Sequence, residues 1–237
     1  MRRIFTATPY FLPAEPEPLL KLFRASGTPR SVKKGELLKR GGDAQKLFLL
    51  ESGLCAYYAA EALNHRPSIL SVLLPGRVMG DMTASIRTRC NVFTKALVDS
   101  KVLVIPPEVL ACAIERDPTL AQIEIRNVVA KEESIIEGMA ANFLRSPKER
   151  VLAFTKALCL VMGVEADENG WYGVPVTFSA ALVGEVVNLN RVSVARIISQ
   201  WALQGFMLRK GRRLFVHQRL FDAVDDWMDN RVPADMP

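Results

Sequence analysis

The sequence of 237 residues predicts an α+β fold with three consecutive parts, and three observations support this prediction. Residues 28–106 alternate short apolar runs with glycine and proline turns, which is typical of an all-β barrel or sandwich. Residues 119–145 contain no proline and a single glycine, so they can form one long helix. The last part combines helical patterns with a short strand-like pair around Lys210–Gly211.

The composition is that of a globular protein with a sizeable core, because hydrophobic residues make up 49% and charged residues 24% of the chain. The longest apolar runs are too short to span a bilayer, and the charged start Met1–Phe5 is not followed by a long apolar segment. We therefore expect a cytoplasmic protein without membrane contact. The net charge of +6 favours a polyanionic partner, although many soluble proteins share such a charge.

Cysteine and histidine usage argues against a metal centre and against an enzyme. The 4 cysteines lie far apart without CxxC spacing, and the chain has 2 histidines. It contains no glycine-rich phosphate loop, paired carboxylates or nucleophile–histidine–acid set, so we predict no catalytic residue and no bound metal. Inert, buried thiols are the expected state of the cysteines, and redox activity of Cys55 or Cys90 stays an open alternative.

The β part is expected to place strands on both sides of its glycine turns. Residues 47–58 predict two strands joined by a turn at Glu51–Gly53. Residues 68–74 form another apolar run, which ends at the turn Pro75–Gly76, and residues 95–106 carry two further strand-like pieces.

Asp117 and Pro118 suit the start of the long helix, since aspartate can cap a helix and proline fits its first turn. A stripe with alternating spacings of four and three residues is typical of a seam that pairs with a second copy of the helix. We predict dimerisation through this stripe; the alternative is a core helix packed on its own domain. The stripe comprises Ile125, Val129, Glu132, Ile136, Met139 and Phe143.

The start of the last part is marked by Ser146, Pro147 and Glu149, which form the pattern of a helix capping box. Further along, residues 178–201 meet the packing demands of a helix-turn-helix. Gly184 falls where two steeply crossing helices touch, and Asn188 falls in the turn and tolerates a positive φ. The apolar positions that would clamp the two helices are Val183, Val187, Leu189, Val194 and Ile197.

The second of these helices would begin near Asn190 and present Arg191 and Arg196 outward, where arginine suits bidentate contact with guanine. The hairpin that follows would be a wing whose cations meet phosphates, and residues 190–220 contain no acid. We therefore predict DNA binding; the alternative is two arginines on a solvated helix face. The predicted DNA-binding residues are Ser179, Asn190, Arg191, Val192, Ser193, Arg196, Gln200, Lys210, Arg212 and Arg213.

A glycine-punctuated β unit, a seam helix and a winged helix-turn-helix in this order resemble the Crp/Fnr family, which includes the cyclic AMP receptor protein. The resemblance is strongest in residues 33–58, 73–81 and 178–198. It implies a cyclic-nucleotide-binding-type β-roll, or jelly roll, over residues 1–117, a dimerisation helix over 118–145 and a winged helix-turn-helix domain over 146–237. It also implies a bacterial homodimer that binds a palindromic promoter site on double-stranded DNA and recruits or blocks RNA polymerase.

The chain departs from the family pattern in both functional parts. Val192 stands where the family commonly has an acidic residue that reads cytosine, so the target sequence should differ at that base pair, and a thymine methyl would suit it. In the sensor, Gly80–Asp81 matches in shortened form the Gly-Glu that holds the ribose of a cyclic nucleotide. The region of Cys90–Asn91 lacks the Arg-Ser that holds its phosphate.

The resemblance therefore implies a small effector other than cyclic AMP, since burying a phosphate without its arginine is costly. A small apolar or aromatic effector, a redox thiol and no effector at all stay open, and no cofactor is certain. The predicted effector-binding residues are Gly80, Asp81, Met82, Arg89, Ile135 and Ile136.

We expect an allosteric, sequence-specific transcription regulator. One alternative is a cyclic-nucleotide-responsive regulator in which Arg87 or Arg89 binds the phosphate in a shifted register. The other is a signalling module whose winged domain serves protein contacts. A steep salt dependence of DNA affinity would distinguish DNA binding from that last alternative.

Overall fold

The computed structural model describes residues 4–40, 46–59, 68–84, 92–174, 176, 178–211 and 213–228. The chain forms two compact units. The first, here called the β unit, is Leu12–Ile135; the second, here called the C-terminal unit, comprises Ile136–Pro237 together with Met1–Phe11. This division falls inside the long helix, whereas the sequence analysis places domain boundaries at residues 117/118 and 145/146.

Two antiparallel four-stranded sheets form the β-roll of the β unit, with strand orders β1-β8-β3-β6 and β2-β7-β4-β5. Its strands are β1 Thr28–Val32, β2 Leu37–Lys39, β3 Leu47–Ser52, β4 Cys55–Ala59, β5 Ile69–Leu73, β6 Val78–Met79, β7 Val92–Ala96 and β8 Ser100–Ile105. Its helices are α1 Glu17–Ser26, α2 Asp81–Ala84, α3 Pro107–Arg116 and the part of α4 Thr119–Leu144 that ends at Ile135.

Strands β3 and β4 confirm the two strands predicted for residues 47–58, but they belong to different sheets. The chain passes from one sheet to the other at Gly53, where φ is 102°. A Cβ at this position would lie 2.2 Å from Ser100 Oγ, so the crossing requires glycine both for its backbone angle and for space.

The continuous apolar run of β3 is explained by burial on both faces of its sheet. Phe48 and Leu50 pack in the core between the two sheets. Leu47 and Leu49 point the other way, because side chains alternate along a strand, and pack against helices α1 and α3. These two helices, which the sequence analysis does not predict, cover the outer face of the β1-β8-β3-β6 sheet through Leu19, Phe23 and Leu110.

The C-terminal unit begins within α4 and continues as a helical domain with a three-stranded sheet of order β10-β11-β9. The predicted capping box starts α5, where Glu149 N donates to Ser146 Oγ at 3.4 Å and Ser146 N donates to Glu149 Oε2 at 2.8 Å. Its elements are α5 Pro147–Val161, β9 Trp171–Val174, α6 Ala180–Val187, α7 Arg191–Leu203, β10 Met207–Lys210, β11 Arg213–His217, a 3-10 helix Gln218–Phe221 and α8 Asp222–Met228.

Candidate nucleic-acid interface and sensor site

Helices α6 and α7 form the predicted helix-turn-helix, and the two residues that the motif requires are in place. Asn188 lies in the left-handed region with φ 52° and ψ 51° and ends α6. A Cβ on Gly184 would lie 2.5 Å from Leu189 O, so the close approach of helix and turn depends on glycine. The clamp between the two helices is largely buried, since Val183, Val187, Val194 and Ile197 are each 7% exposed or less.

Ser179 and Asn190 cap the two helices. Ser179 Oγ accepts from Leu182 N at 3.2 Å, and Asn190 Oδ1 accepts from Ser193 N at 2.8 Å. These two predicted DNA contacts therefore have a structural role in the free protein. They also lie at helix N-termini, where the backbone dipoles favour a phosphate.

The outward face of α7 carries most of the side chains that the sequence analysis assigns to base reading. Arg191, Arg196 and Gln200 are exposed, and Val192 is 64% exposed, although an apolar side chain would ordinarily be buried. Ser193 is half-buried. The first half of α7 thus offers two guanidinium groups flanking one exposed apolar side chain, which is a surface suited to the edges of base pairs.

Strands β10 and β11 form the predicted wing. Lys210 pairs with Arg213 across the turn, and Gly211 at the tip has φ 61°. Arg209, Lys210 and Arg213 are exposed; Arg212 lies outside the described residues. The wing therefore places at least three cations on one short hairpin, as expected for a phosphate-binding element.

Helix α4 has an apolar exposed face and a polar buried face. Its predicted seam is open to solvent, with Ile125 63% exposed and Phe143 90% exposed, and Val129, Glu132, Ile136 and Met139 also exposed. The buried polar residues of the same helix recur at spacings of three and four residues. They are Glu124, Asn127, Lys131, Ser134 and Glu137.

Lys131 is the centre of a buried charge cluster in the β unit. Its side chain is fully buried, and its ammonium group forms ion pairs with the carboxylates of Glu15 and Asp81. It also lies 3.4 Å from Val78 O. Burial alone would lower the pKa of this ammonium group, but the two carboxylates raise it above its ordinary value, so Lys131 stays charged.

Glu15 is fixed from several sides. Its Oε1 accepts from Val78 N at 2.8 Å, and Asn127 Nδ2 donates to its Oε2. Its own backbone N donates to Gly76 O at 2.9 Å. The neighbouring Arg77 donates to Leu12 O and Pro75 O, so residues 12–15 are tied to the β5–β6 connection and to α4.

Glu124 is a third acidic residue close to Glu15 and Asp81, and these three carboxyl groups share the single cation of Lys131. Its side chain is buried, and its Oε1 has no hydrogen-bond partner among the described residues. Burial first, and then the negative charge of Asp81 and Glu15, raise its pKa to about 7, against an opposing effect of Lys131. This carboxyl group is therefore partly protonated at neutral pH.

The raised pKa of Glu124 predicts that stability falls as pH rises. The folded protein binds the proton up to pH about 7 whereas the unfolded chain releases it near pH 4.5, so stability is lost progressively between these values. We expect this carboxyl to account for about 3 kcal/mol of that decline, and Glu124→Gln to flatten it. Denaturant unfolding from pH 4.5 to 8 measures the effect.

Glu115→Gln, at an exposed position of α3, is the matched control for the pH series. It should follow the wild-type curve, since it leaves Glu124 and the buried groups around it unchanged. A Glu124→Gln protein with the wild-type slope across this range would contradict the assignment.

The predicted effector residues are divided between different environments. Asp81 is engaged by Lys131, Gly80 has φ 97°, and Ile135 packs against the core of the β-roll. Ile136, predicted for both the effector site and the seam, is 42% exposed and follows the exposed stripe of α4. Met82 is half-buried, and Arg89 lies outside the described residues, as do Arg87 and Cys90.

Cys55 does not have the environment of a reactive thiol. Its side chain is buried in the β-roll core, and burial raises its pKa to about 12. A thiol that stays protonated is a poor nucleophile and a slow redox sensor. Among the described residues no group of three or more histidine, cysteine or acidic side chains could hold a metal ion.

Comparison with known proteins identifies the architecture. Residues 29–117 match the model of the cyclic nucleotide-binding domain. Among solved structures, FixK2 from Bradyrhizobium japonicum is 21% identical with a TM-score of 0.68, over 83% of this chain and 96% of that chain. A transcriptional regulator of the Crp/Fnr family from Thermus thermophilus is 15% identical with a TM-score of 0.61, over 86% of this chain and 100% of that chain.

The protein has the fold of a Crp/Fnr transcription regulator. The resemblance predicted from the sequence is thereby confirmed at the level of the fold. The c-di-GMP responsive global regulator CLP of Xanthomonas campestris is also similar in structure, with 16% identity and a TM-score of 0.66 over 85% of this chain and 99% of CLP. No curated protein matches the sequence.

Likeness at this level of identity shows the fold alone, so the absence of enzymatic activity stays a prediction. In the part of the chain that the structure describes, no helix combines the length and apolar character needed to cross a membrane. The residues that sequence reasoning missed are Glu15, Glu124, Asn127 and Lys131 of the charge cluster. For Glu124, Asn127 and Lys131 the signal was the polar periodicity along α4, opposite the seam; Glu15 lies outside α4 and has no such signal.

Proposed function

We propose that this protein is a homodimeric, sequence-specific DNA-binding transcription regulator that acts at a palindromic promoter site. The single observation that carries the proposal is the exposed arginine pair of α7, Arg191 and Arg196, on a helix-turn-helix beside a cationic wing. A helix of this kind enters the major groove with its N-terminal residues against the base edges. The wing adds phosphate contacts that strengthen binding without reading sequence.

Val192 is proposed to set the sequence preference between the two arginines. It stands where the resemblance places an acidic reader of cytosine, and it is 64% exposed at the start of α7. An isopropyl group can contact the methyl of thymine but cannot accept a hydrogen bond from cytosine. The preferred half-site is therefore expected to differ from that of the cyclic AMP receptor protein at this base pair.

The exposed stripe of α4 supports dimerisation through a second copy of the same helix. A soluble monomer rarely leaves a row of large apolar side chains in water, and the spacing is that of a coiled-coil seam. Two copies related by a two-fold axis would present two recognition helices to the two halves of a palindrome. Contact with RNA polymerase from such a site is part of the proposal.

Control by a small effector other than cyclic AMP is also proposed. The Asp81 carboxylate, which the resemblance assigns to the ribose, is already paired with the buried Lys131 ammonium group. A ribose hydroxyl that binds this carboxylate would compete with the ammonium group, and weakening a buried ion pair is costly. The match of residues 29–117 to the cyclic nucleotide-binding domain favours the alternative, in which Arg87 or Arg89 binds the phosphate.

The test is selection from a pool of randomised DNA duplexes, with the wild type and the Met139→Glu variant side by side. The wild type should enrich a palindrome whose half-sites lie about one helical turn apart, and its affinity should fall steeply with salt. Met139→Glu places a charge in the apolar stripe, so we expect a monomer in light scattering and loss of the palindrome.

Ala111→Glu, at an exposed position of α3, is the control for the added charge and should stay dimeric. A wild type that enriches no sequence and binds DNA with a weak salt dependence would overturn the proposal and favour the protein-contact alternative. If the Met139→Glu protein remains dimeric, the apolar stripe of α4 is not the dimer interface.

A further inference from the structure

The N-terminal segment of residues 4–11, here called the strap, packs inside the C-terminal unit although it precedes the β unit in the chain. Tyr10 and Phe11 are almost completely buried. The Phe11 ring lies 5.1 Å from the Phe154 ring of α5 and 6.3 Å from the Phe178 ring, measured between centroids. Because Phe178 directly precedes the cap of α6, the strap forms part of the core on which the helix-turn-helix rests.

A chain of hydrogen bonds connects the strap to the end of α6. The Tyr10 hydroxyl donates to Asn142 Oδ1 at 3.1 Å, and Asn142 Nδ2 donates to Val186 O at 2.9 Å. The last carbonyl groups of a helix have no partner within the helix, so Asn142 satisfies one of those in α6. Val186 lies two residues before Asn188, the turn that sets the direction of α7.

The strap is also matched to α4 by shape. Tyr10 lies in the left-handed region with φ 69°, a conformation that a bulky residue adopts only when its surroundings hold it. It passes over Gly138, where a Cβ would lie 3.2 Å from Tyr10 N. Glycine is unfavourable in a helix interior, and the close approach of the strap accounts for its presence here. At the other end of the strap, Phe5 N donates to the buried Glu137.

We propose that the strap positions the helix-turn-helix for DNA, with Tyr10 and Asn142 as positioning residues that do not touch the DNA. The inference rests on the proposed DNA-binding function and adds to it a segment distant in sequence from the reader. By holding the carbonyl end of α6, the strap limits the orientations of the turn and of α7. Loss of the contact should therefore weaken specific recognition, which needs both arginines in register, more than non-specific attraction to phosphates.

The test compares Tyr10→Phe and Gly138→Ala with the wild type. Tyr10→Phe keeps the ring and removes the hydroxyl donor. Gly138→Ala adds a methyl group 3.2 Å from Tyr10 N, a tight contact that the strap must relieve by moving a few tenths of an ångström. We expect the affinity for the selected palindrome to fall about 3- to 10-fold, as for the loss of one hydrogen bond. Affinity for an unrelated duplex should be unchanged, because no charge is altered.

The two hydrogen bonds of Asn142 allow a second test of the proposal. Asn142→Asp keeps an acceptor for Tyr10 but loses the donor to Val186, so it should lower the ratio of specific to non-specific affinity in the same way. Adding Tyr10→Phe to it should cause little further loss, since residues acting through one contact are not additive. Tyr58→Phe, in β4 of the β unit, is the matched control for removal of a tyrosine hydroxyl.

Amide hydrogen exchange at Asn188 and Leu189 measures the same contact without DNA. Faster exchange is expected in Tyr10→Phe and Gly138→Ala, and wild-type exchange is expected in Tyr58→Phe. The proposed role of the strap would be refuted if exchange at these two amides were unchanged. It would also be refuted if the variants kept the wild-type ratio of specific to non-specific DNA affinity. Failure of the wild type to select a palindrome would instead count against the proposed function, and the exchange result would still decide on the strap.

Discussion

Alanine at both Arg191 and Arg196 is expected to lower the affinity for the selected palindrome by at least about 100-fold. Each bidentate contact of arginine with guanine contributes about 1–3 kcal/mol of discrimination, and the variant removes two per half-site. Both side chains are exposed on α7, so their truncation leaves the core of the helix-turn-helix intact. Fluorescence anisotropy with a labelled duplex at fixed salt measures the change.

The variant should lose less affinity for an unrelated duplex, since the wing cations remain and non-specific binding rests mainly on phosphate charge. The matched control is Lys21→Ala with Arg24→Ala, which removes the same charge from exposed positions of α1. That control should retain nearly all of its preference for the palindrome. Wild-type affinity of the α7 variant for the palindrome would refute α7 as the reading helix.

The helix-turn-helix could be predicted because its physical constraints are local. The cap at Ser179, the small residue at Gly184 and the left-handed turn at Asn188 lie within ten residues of one another. Each constraint restricts the residue types that can occupy its position, and the structure satisfies all three. The capping box at Ser146 was predictable for the same reason.

The charge cluster could not be predicted in this way, because its members lie far apart in the sequence. Glu15 precedes the first helix, Asp81 follows β6, and Lys131 lies in the middle of α4. A single lysine in a helix ordinarily indicates a solvated face. The sequence carries an apolar stripe and a polar stripe on opposite faces of α4. The polar face can be recognised as the buried one only after the apolar stripe has been assigned to dimerisation.

The strap shows a related limit of sequence patterns. The resemblance to the Crp/Fnr family places residues 1–117 in one domain, yet residues 4–11 pack with residues more than 120 positions further along, such as Glu137 and Phe154. Phe5, Tyr10 and Phe11 are aromatic or apolar enough to predict burial somewhere. The core that they join is determined by tertiary contacts, and the local periodicity of the sequence does not reveal it.

Replacement of Lys131 by methionine is expected to destabilise the β unit by about 3–5 kcal/mol. Methionine fills a similar volume, but it leaves the buried carboxylates of Glu15 and Asp81 facing each other without a cation. A loss of this size corresponds to a fall in Tm of about 10 °C for a protein of this length. Thermal and denaturant unfolding measure it, and Lys148→Met, at an exposed position of α5, is the matched control.

A compensated variant separates the loss of charge balance from the loss of packing. In Glu15→Gln, Asp81→Asn, Lys131→Met the three charges are removed together, and most of the lost stability should return, because a buried ion pair can be replaced by neutral groups of similar volume. If the triple variant stays as unstable as Lys131→Met, the loss comes from the methionine itself. If Lys131→Met is as stable as Lys148→Met, the two carboxylates are not held by Lys131. In that case Lys131 would not compete with a ribose for Asp81 either.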